Sequence, residues 1–396
     1  MDFQLTTEQE MIRDMTRDFT EKNIRPVASR LDKENQFPYE NLKKMAELGL
    51  MGMNVPFEYG GSEAGAVASS LVITEIAKGC ASHAVTTSVT NMVAEVIYQF
   101  GRDEVRREHL PKICTGQYPA AAFAITEPHT GSDVANIRTS AVREKGNYIL
   151  NGGKSLISSG EAAGVLVVWA VTDKNARKGK GLSAFVVQKG TPGFRVGKAE
   201  EKMGHHASQT NELIFDNSPI PPGSLLGKEG EGFKIAMTEL DGGRIGIGSL
   251  AAGVGFSAID FATQYVKERE AFGKSLSSFE AIQWMIADSY TELEAAQLLV
   301  LRAAYLKEKG QSYTKEASMA KLFATETARN VAVRAVQMLG GYGYTKDYPV
   351  ERYLRDTIGT TLYEGTSEIQ RIVIAREILK DQFRGEKNGP IGTDHR

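Results

Sequence analysis

Val165-Leu166-Val167-Val168-Trp169-Ala170-Val171 and, after Lys178-Gly179-Lys180-Gly181, Leu182-Ser183-Ala184-Phe185-Val186-Val187 decide the fold of this 396-residue chain. Both runs are short and rich in β-branched and aromatic residues, and a Gly-rich turn separates them, so they read as consecutive strands. Tyr148-Ile149-Leu150, ended by Asn151-Gly152-Gly153, and Glu212-Leu213-Ile214-Phe215 have the same character. No long helical pattern intervenes. The spacing predicts an antiparallel sheet closed as a barrel or sandwich over 120–230, not βαβ units. Ile220-Pro221-Pro222-Gly223 ends it.

Both flanks are helical. Residues 1–119 open on a capping box of Thr7 with Glu10, followed by Met11, Ile12, Met15 and Phe19 at helical spacing. Pro26 and Pro38 interrupt the pattern. Leu42 to Gly49, Ala68 to Ala77, Thr87 to Phe100 and Arg102 to Leu110 follow as helices, and Pro111 to Pro119 as a connector. Beyond the sheet, Phe233 to Glu268, Phe279 to Gly310 and Tyr313 to Leu339 are long and rich in small and apolar residues. With a last helix from Ser367 to Leu379 they predict a four-helix bundle over 231–383, leaving a tail at 384–396. The expected fold class is multidomain α+β: an all-α domain, a β domain and a bundle.

Composition narrows the function. Net charge is −2, from 47 basic and 49 acidic residues with no long run of one sign, which argues against a nucleic-acid footprint or a polybasic membrane patch. No signal-like start and no apolar run of about 18 residues is evident, so no membrane insertion is expected. Cys80 and Cys114 are too few for a disulfide framework. The expected location is a bacterial cytoplasm, with a mature mitochondrial matrix protein equally compatible. Gly341-Tyr342-Gly343 lacks the third glycine of a dinucleotide fingerprint, and Gly153-Lys154-Ser155 and Gly273-Lys274-Ser275 lack the upstream glycine of a P-loop. His205-His206 are adjacent and do not share a metal as an i, i+4 pair does, so no metal site is expected.

Five stretches carry candidate chemistry. Tyr363-Glu364-Gly365-Thr366-Ser367 is turn and cap chemistry before a helix, and it can aim Glu364 into a cleft as a general base. By itself it reads first as an acidic helix start. Thr126-Glu127-Pro128-His129-Thr130-Gly131-Ser132-Asp133 offers hydroxyls and backbone N–H groups in one turn, although its composition alone reads first as an ordinary Asx/ST turn. Asp241-Gly242-Gly243-Arg244 holds an ion pair on one helix face with two glycines that let a ligand approach. Arg269-Glu270-Ala271-Phe272-Gly273 and Gln337-Met338-Leu339-Gly340-Gly341 suit a phosphate and an adenosine, or are simply helix ends.

In this order, across helical, β and helical segments, the five motifs resemble the acyl-CoA dehydrogenase family over nearly the whole chain. The resemblance implies FAD, a homotetramer, an acyl-CoA substrate and electron-transfer flavoprotein as electron acceptor. It implies that Phe123, Ile125, Thr126, Ser132, Leu156, Ile157 and Ser158 line the flavin. Arg269, Phe272, Gln337, Gly340 and Gly341 would hold its pyrophosphate and adenosine, partly across subunits, and Thr366 and Glu368 would complete the site. Ser132, Asp241, Arg244 and Gly365 would contact the CoA ester. Glu364 would remove the α proton, with its own N–H helping to polarise the carbonyl and the β hydride passing to FAD, to give a trans-2-enoyl-CoA.

Lys202 to Thr210 and Leu240 to Ile247 resemble short-chain, butyryl-CoA-type members. Ala84 falls where glutaryl-CoA members carry an Arg, which argues against a dicarboxylic substrate. A cyclic, branched or aryl-substituted acyl-CoA, and an enoyl-CoA reductase running the reaction backwards, stay open. So do a superfamily oxidase and a flavin-free scaffold, although the full motif set argues against both. Three departures from the family pattern stand out: Leu156 where many members carry Trp, His129-Thr130 in place of small residues, and Glu280 in place of Gln.

Overall fold

The structure is a computed structural model that describes residues 4–380. The expected tail at 384–396 and the expected bundle's last residues, 381–383, lie outside the described residues. The N-terminal region comprises α1 (Thr7–Phe19), which passes through a π turn (Thr20–Ile24) into α2 (Arg25–Glu34), then α3 (Tyr39–Glu47), α4 (Gly65–Gly79), α5 (Ala81–Phe100) and α6 (Asp103–Cys114). The cap of α1 is Thr6 with Gln9, not Thr7 with Glu10. The Thr6 Oγ1 accepts from the Gln9 N–H at 3.2 Å, and Gln9 Oε1 accepts from the Thr6 N–H at 3.1 Å. Thr6 alone keeps the extended backbone a cap requires, since Thr7 is already helical.

Helix α5 begins at Ala81 instead of Thr87. Its first turns bury Ser82, His83, Thr86 and Thr87. The Thr87 hydroxyl bonds to the His83 carbonyl at 2.9 Å, and His83 Nε2 lies 3.1 Å from Asn41 Nδ2. Polar residues with internal partners fill core positions here, which hides the apolar period. Helix α6 continues through Pro111 to Cys114, so the expected connector is shorter.

Eight strands follow: β1 (Ala120–Ala124), β2 (Ser140–Glu144), β3 (Asn147–Ser158), β4 (Ala163–Val171), β5 (Leu182–Gln188), β6 (Phe194–Ala199), β7 (Thr210–Ile220) and β8 (Leu225–Leu226). Their order is β6-β7-β3-β2-β4-β5-β8, with β1 beside β4. The sheet is mixed, not antiparallel. β1 runs parallel to β4, and β2 meets β4 through one parallel bridge, Ser140 with Val171. β1 escapes a sequence reading because four of its five residues are alanine, a helix former with little strand preference. β3 is bulged twice against β7, once between Lys154 and Ile157.

The C-terminal region holds α7 (Gly232–Glu268), α8 (Glu280–Glu308), α9 (Thr314–Leu339), α10 (Val350–Thr360) and α11 (Ser367–Ile378). The fourth helix of the bundle is α10, which packs on both α7 and α9, whereas α11 lies on α9. Thus the bundle differs from the expected set of three long helices plus the last one. α10 is short, but Val350, Tyr353 and Thr357 repeat at helical spacing and are buried. α7 is apolar enough over 18 residues to cross a membrane by length and composition, and 83% of that window is buried inside the fold. It packs on α4, α5, α8, α9 and α10, and so joins the two helical regions.

Candidate active site

The turn between α10 and α11 lies over α7. Glu364 and Gly365 are both left-handed there, with φ of 54° and 83°. That conformation costs a residue with a Cβ about 1–3 kcal/mol and persists only where surroundings enforce it. The enforcement comes from two buried side chains. Lys321 Nζ donates to the Gly365 carbonyl at 2.8 Å. Gln370 Nε2 donates to the Glu364 and Gly365 carbonyls at 3.1 and 2.9 Å. Thr366 caps α11, its hydroxyl accepting from the Ile369 N–H at 3.3 Å.

The result aims the Glu364 carboxylate at Gly243 of α7. A Cβ on Gly243 would stand 2.8 Å from Glu364 Oε2 and 2.9 Å from Met92 Sδ. Glu364 as a residue is half-buried, but its Oε2 is cut off from solvent and has no hydrogen-bond partner. Burial pushes the carboxyl up to about 7, against the opposing pull of Arg244 and Lys321. Lys321 is itself depressed to about 8, by burial first, with Glu364 partly restoring it. Arg244 is buried, paired with Asp241, and donates to Ser318 Oγ at 3.2 Å. Asp241 also accepts from the Thr314 hydroxyl at 2.5 Å. Glu364, Gly365, Asp241 and Arg244 are therefore assembled around one point.

Tyr363, on the other side of the turn, faces a cavity of about 250 Å³ whose lining includes Ser158, His205, Thr210 and Leu362. His205 Nδ1 is buried in this region without a partner, and Leu156 stands 62% exposed at φ 57° beside the β3 bulge. An exposed aliphatic chain and an orphaned ring nitrogen fit a flat ring with polar edges, as a flavin has. The Ser155 N–H donates to the Thr126 carbonyl at 3.0 Å and ties the Thr126–Asp133 turn to this strand. Beneath it lies a buried ion pair: Lys154 Nζ is 2.8 Å from Glu127 Oε1, and Glu127 also accepts from the Arg138 and Thr139 N–H groups at 2.6 and 3.0 Å. Phe123 packs on Trp169 at 4.2 Å between ring centres, and Ser132 is exposed in the turn. Ile125 and Ile157 are buried in core clusters, so their side chains do not line the cavity; only their backbone can.

Arg269 and Phe272 follow the end of α7, and Gln337, Gly340 and Gly341 lie at the end of α9. The Arg269 guanidinium lies 5.8 Å from the Tyr342 ring centre, which brings the end of α7 to the end of α9, and Phe272 is 95% exposed. Arg269 is 26 residues beyond Gly243, about 39 Å along the helix axis. This group is not brought together with Glu364 within one chain. Glu368 is exposed in the first turn of α11.

Sequence reasoning missed Lys321, Gln370 and the role of Gly243. Lys321 left a signal: it sits on the stripe Ala317, Ala320, Ala324 and Ala328, where a cation on a core face needs a partner. Gln370 left none, because an amide in the first turn of a helix is unremarkable in sequence.

Three family models cover nearly the whole chain: the acyl-CoA dehydrogenase N-terminal domain over residues 6–117, the middle domain over 122–218 and the C-terminal domain over 230–379. The chain is 49% identical over 383 residues to an acryloyl-CoA reductase (NADH) of Anaerotignum propionicum, covering 96% of each chain. It matches the solved butyryl-CoA dehydrogenase of Megasphaera elsdenii with a TM-score of 0.93 and 40% identity, over 96% of this chain and 100% of that one. A chain in the structure of the electron transferring flavoprotein of Acidaminococcus fermentans, studied for flavin-based electron bifurcation, matches with a TM-score of 0.94 and 46% identity, over 96% and 100%. Profiles, relatives and fold agree: the chain belongs to the acyl-CoA dehydrogenase family, FAD-dependent oxidoreductases.

Proposed function

We propose that Glu364 is the base that removes the α proton of a short-chain acyl-CoA thioester on the way to the trans-2-enoyl-CoA. The observation that carries this is the Glu364 carboxylate: its Oε2 is cut off from solvent without a partner and set against a helix glycine, and burial pushes the group up to about 7. A base of that strength is partly ionised at neutral pH yet accepts a proton readily. FAD, when bound, supplies the acceptor for the β hydride. Leu156, Ser158 and the Thr126–Ser132 turn would hold its ring, with Ile125 and Ile157 contributing backbone. The Glu364 N–H would orient the thioester carbonyl, and Gly365 leaves room for it. Arg244, fixed by Asp241, holds positive charge beside the base and keeps it from rising further. Ser132 would meet the CoA portion.

The group Arg269, Phe272, Gln337, Gly340 and Gly341 serves the adenosine end of a neighbouring subunit's FAD in a homotetramer, since the helix holds it about 39 Å from the base of its own chain. Electrons leave to electron-transfer flavoprotein, in keeping with the likeness to a chain in the electron transferring flavoprotein structure. The reverse reaction, with Glu364 returning the proton to the α carbon of a short enoyl-CoA, is the second reading. It is favoured by the 49% identity to an acryloyl-CoA reductase. Glu364→Gln tests the base for both: the variant is expected to bind FAD and a butyryl thioester, with flavin reduction down by at least three orders of magnitude. Near wild-type reduction would reject the assignment.

A further inference from the structure

A second cavity opens beside the base. It measures about 50 Å³, where one water needs roughly 10–15 Å³. Gly243 and Met92 line it and flank Glu364 Oε2, so an acyl chain whose α carbon faces Glu364 runs into it. Its far side is not hydrocarbon. Lys307 Nζ lies 2.7 and 2.8 Å from the two carboxylate oxygens of Glu95. Glu95 also accepts from Asn54 at 3.3 Å and Gln99 at 3.2 Å, so its hydrogen bonds are made within the protein. Glu239 is different. It is 2% exposed, lines the cavity, and its Oε1 has no partner. A buried polar atom left unpaired costs free energy that a ligand recovers by completing the bond.

We propose that Glu239, backed by the Glu95–Lys307 pair, forms a recognition subsite for a neutral hydrogen-bonding group, a hydroxyl or carbonyl, on the fourth carbon of the acyl chain. This rests on the reading that Glu364 faces the α carbon. The position follows from the helix: Glu239 is four residues before Gly243 on α7, just over one turn or about 6 Å away along the axis. That is where a substituent on the fourth carbon falls when the second carbon is at the base. Neutrality follows from the charges. Lys307 is already matched by Glu95, and burial and the nearby Glu95 push the Glu239 carboxyl well above the usual carboxylate range. A carboxylate on the chain would be an unmatched buried charge. A purely hydrocarbon end would leave Glu239 unpaired, and a longer chain would collide with the ion pair.

The test uses the FAD-loaded enzyme and anaerobic flavin bleaching by butyryl-, 4-hydroxybutyryl-, hexanoyl- and glutaryl-CoA. Wild type is expected to show kcat/KM for 4-hydroxybutyryl-CoA at least equal to that for butyryl-CoA, and about ten- to hundredfold above hexanoyl- and glutaryl-CoA. Glu239→Leu is expected to lower the ratio of 4-hydroxybutyryl to butyryl about ten- to hundredfold, chiefly through KM. Glu239→Gln, which keeps shape and hydrogen bonding, should hold that ratio within about threefold. An unchanged ratio in Glu239→Leu overturns the proposal. So does a wild-type preference for glutaryl-CoA, or for butyryl-CoA by tenfold over its hydroxylated analogue; this arm needs no variant to fold. If none of the four thioesters bleaches the flavin, the base assignment fails instead. The subsite is then still read from the change in flavin absorbance as the same thioesters bind.

Discussion

Gly243→Ala separates the demands of the helix from those of the base. Alanine in the interior of α7 should stabilise the helix by about 1 kcal/mol relative to glycine. The added Cβ would stand 2.8 Å from Glu364 Oε2 and 2.9 Å from Met92 Sδ, where ordinary contact begins at 3.4 Å. Both clashing atoms lie at or next to the ends of flexible side chains, so the backbone need not move. The carboxylate must instead retreat by about 0.6 Å, the difference between 3.4 and 2.8 Å. Misplacing a reacting group by about 1 Å costs roughly a hundredfold in rate, so a ten- to hundredfold loss, or about 1.4–2.7 kcal/mol of barrier, is expected. Stability should meanwhile stay level or rise by up to about 1 kcal/mol. Anaerobic stopped-flow reduction of the flavin at saturating butyryl-CoA measures the first quantity, and denaturant unfolding of the same protein the second. Reduction within twofold of wild type would refute the placement of the base. A rate loss accompanied by a loss of several kcal/mol in stability would refute the claim that the clash falls on the carboxylate.

Three further outcomes follow from the buried charges. Lys321→Met removes a cation that holds Glu364 down, so the acid limb of the flavin-reduction rate should move to higher pH, with roughly a three- to tenfold loss at pH 7; a move to lower pH would contradict the contact. Glu364→Gln should also stabilise the protein. A carboxyl raised from 4.5 to about 7 by folding costs nothing below pH 4.5 and its full penalty above pH 7. The gain, discounted for partial exposure, is about 1–2 kcal/mol in denaturant unfolding at pH 8 and should vanish toward pH 4.5. Glu127→Gln and Lys154→Met should each destabilise by roughly 3–5 kcal/mol, because each leaves a buried partner unmatched, while the double variant should lose much less than their sum; additive losses in a double-mutant cycle would refute a coupled pair.

Much of the architecture was legible because it is written in short-range patterns. Long small-residue helices, β-branched runs and Gly turns each announce a local period. The misreadings share one cause: residues whose intrinsic preference is overridden by tertiary partners. Ala120 to Ala124 is a strand because it slots beside β4, and Ser82 to Thr87 is a buried helix because the Thr87 hydroxyl donates to the His83 carbonyl and His83 Nε2 meets Asn41 of α3. The bundle's fourth helix was misassigned because nothing local distinguishes a short helix wedged between α7 and α9 from one lying on α9 alone. At the site, Glu364 and the Asp241–Arg244 pair stood out only through the order of the five motifs and the family they resemble. Lys321 left only a trace, a cation on an alanine stripe, while Gln370 and the pressure of Gly243 on the base left none, since what they do depends on contacts that sequence spacing does not reveal.

Helix α7 makes the two ends of the molecule commensurate. Arg244 and Arg269 ride on one rigid rod, so the distance between them is counted in residues and cannot be adjusted by a loop. One residue inserted between them would advance the far end by about 1.5 Å and rotate it by about 100°. Every buried face downstream would then turn toward the wrong neighbour. Substitutions along this segment can be graded, absorbed or compensated, but its length behaves as an integer. Variants with one residue added or removed between 245 and 268 should fail as a class, whichever residue is chosen.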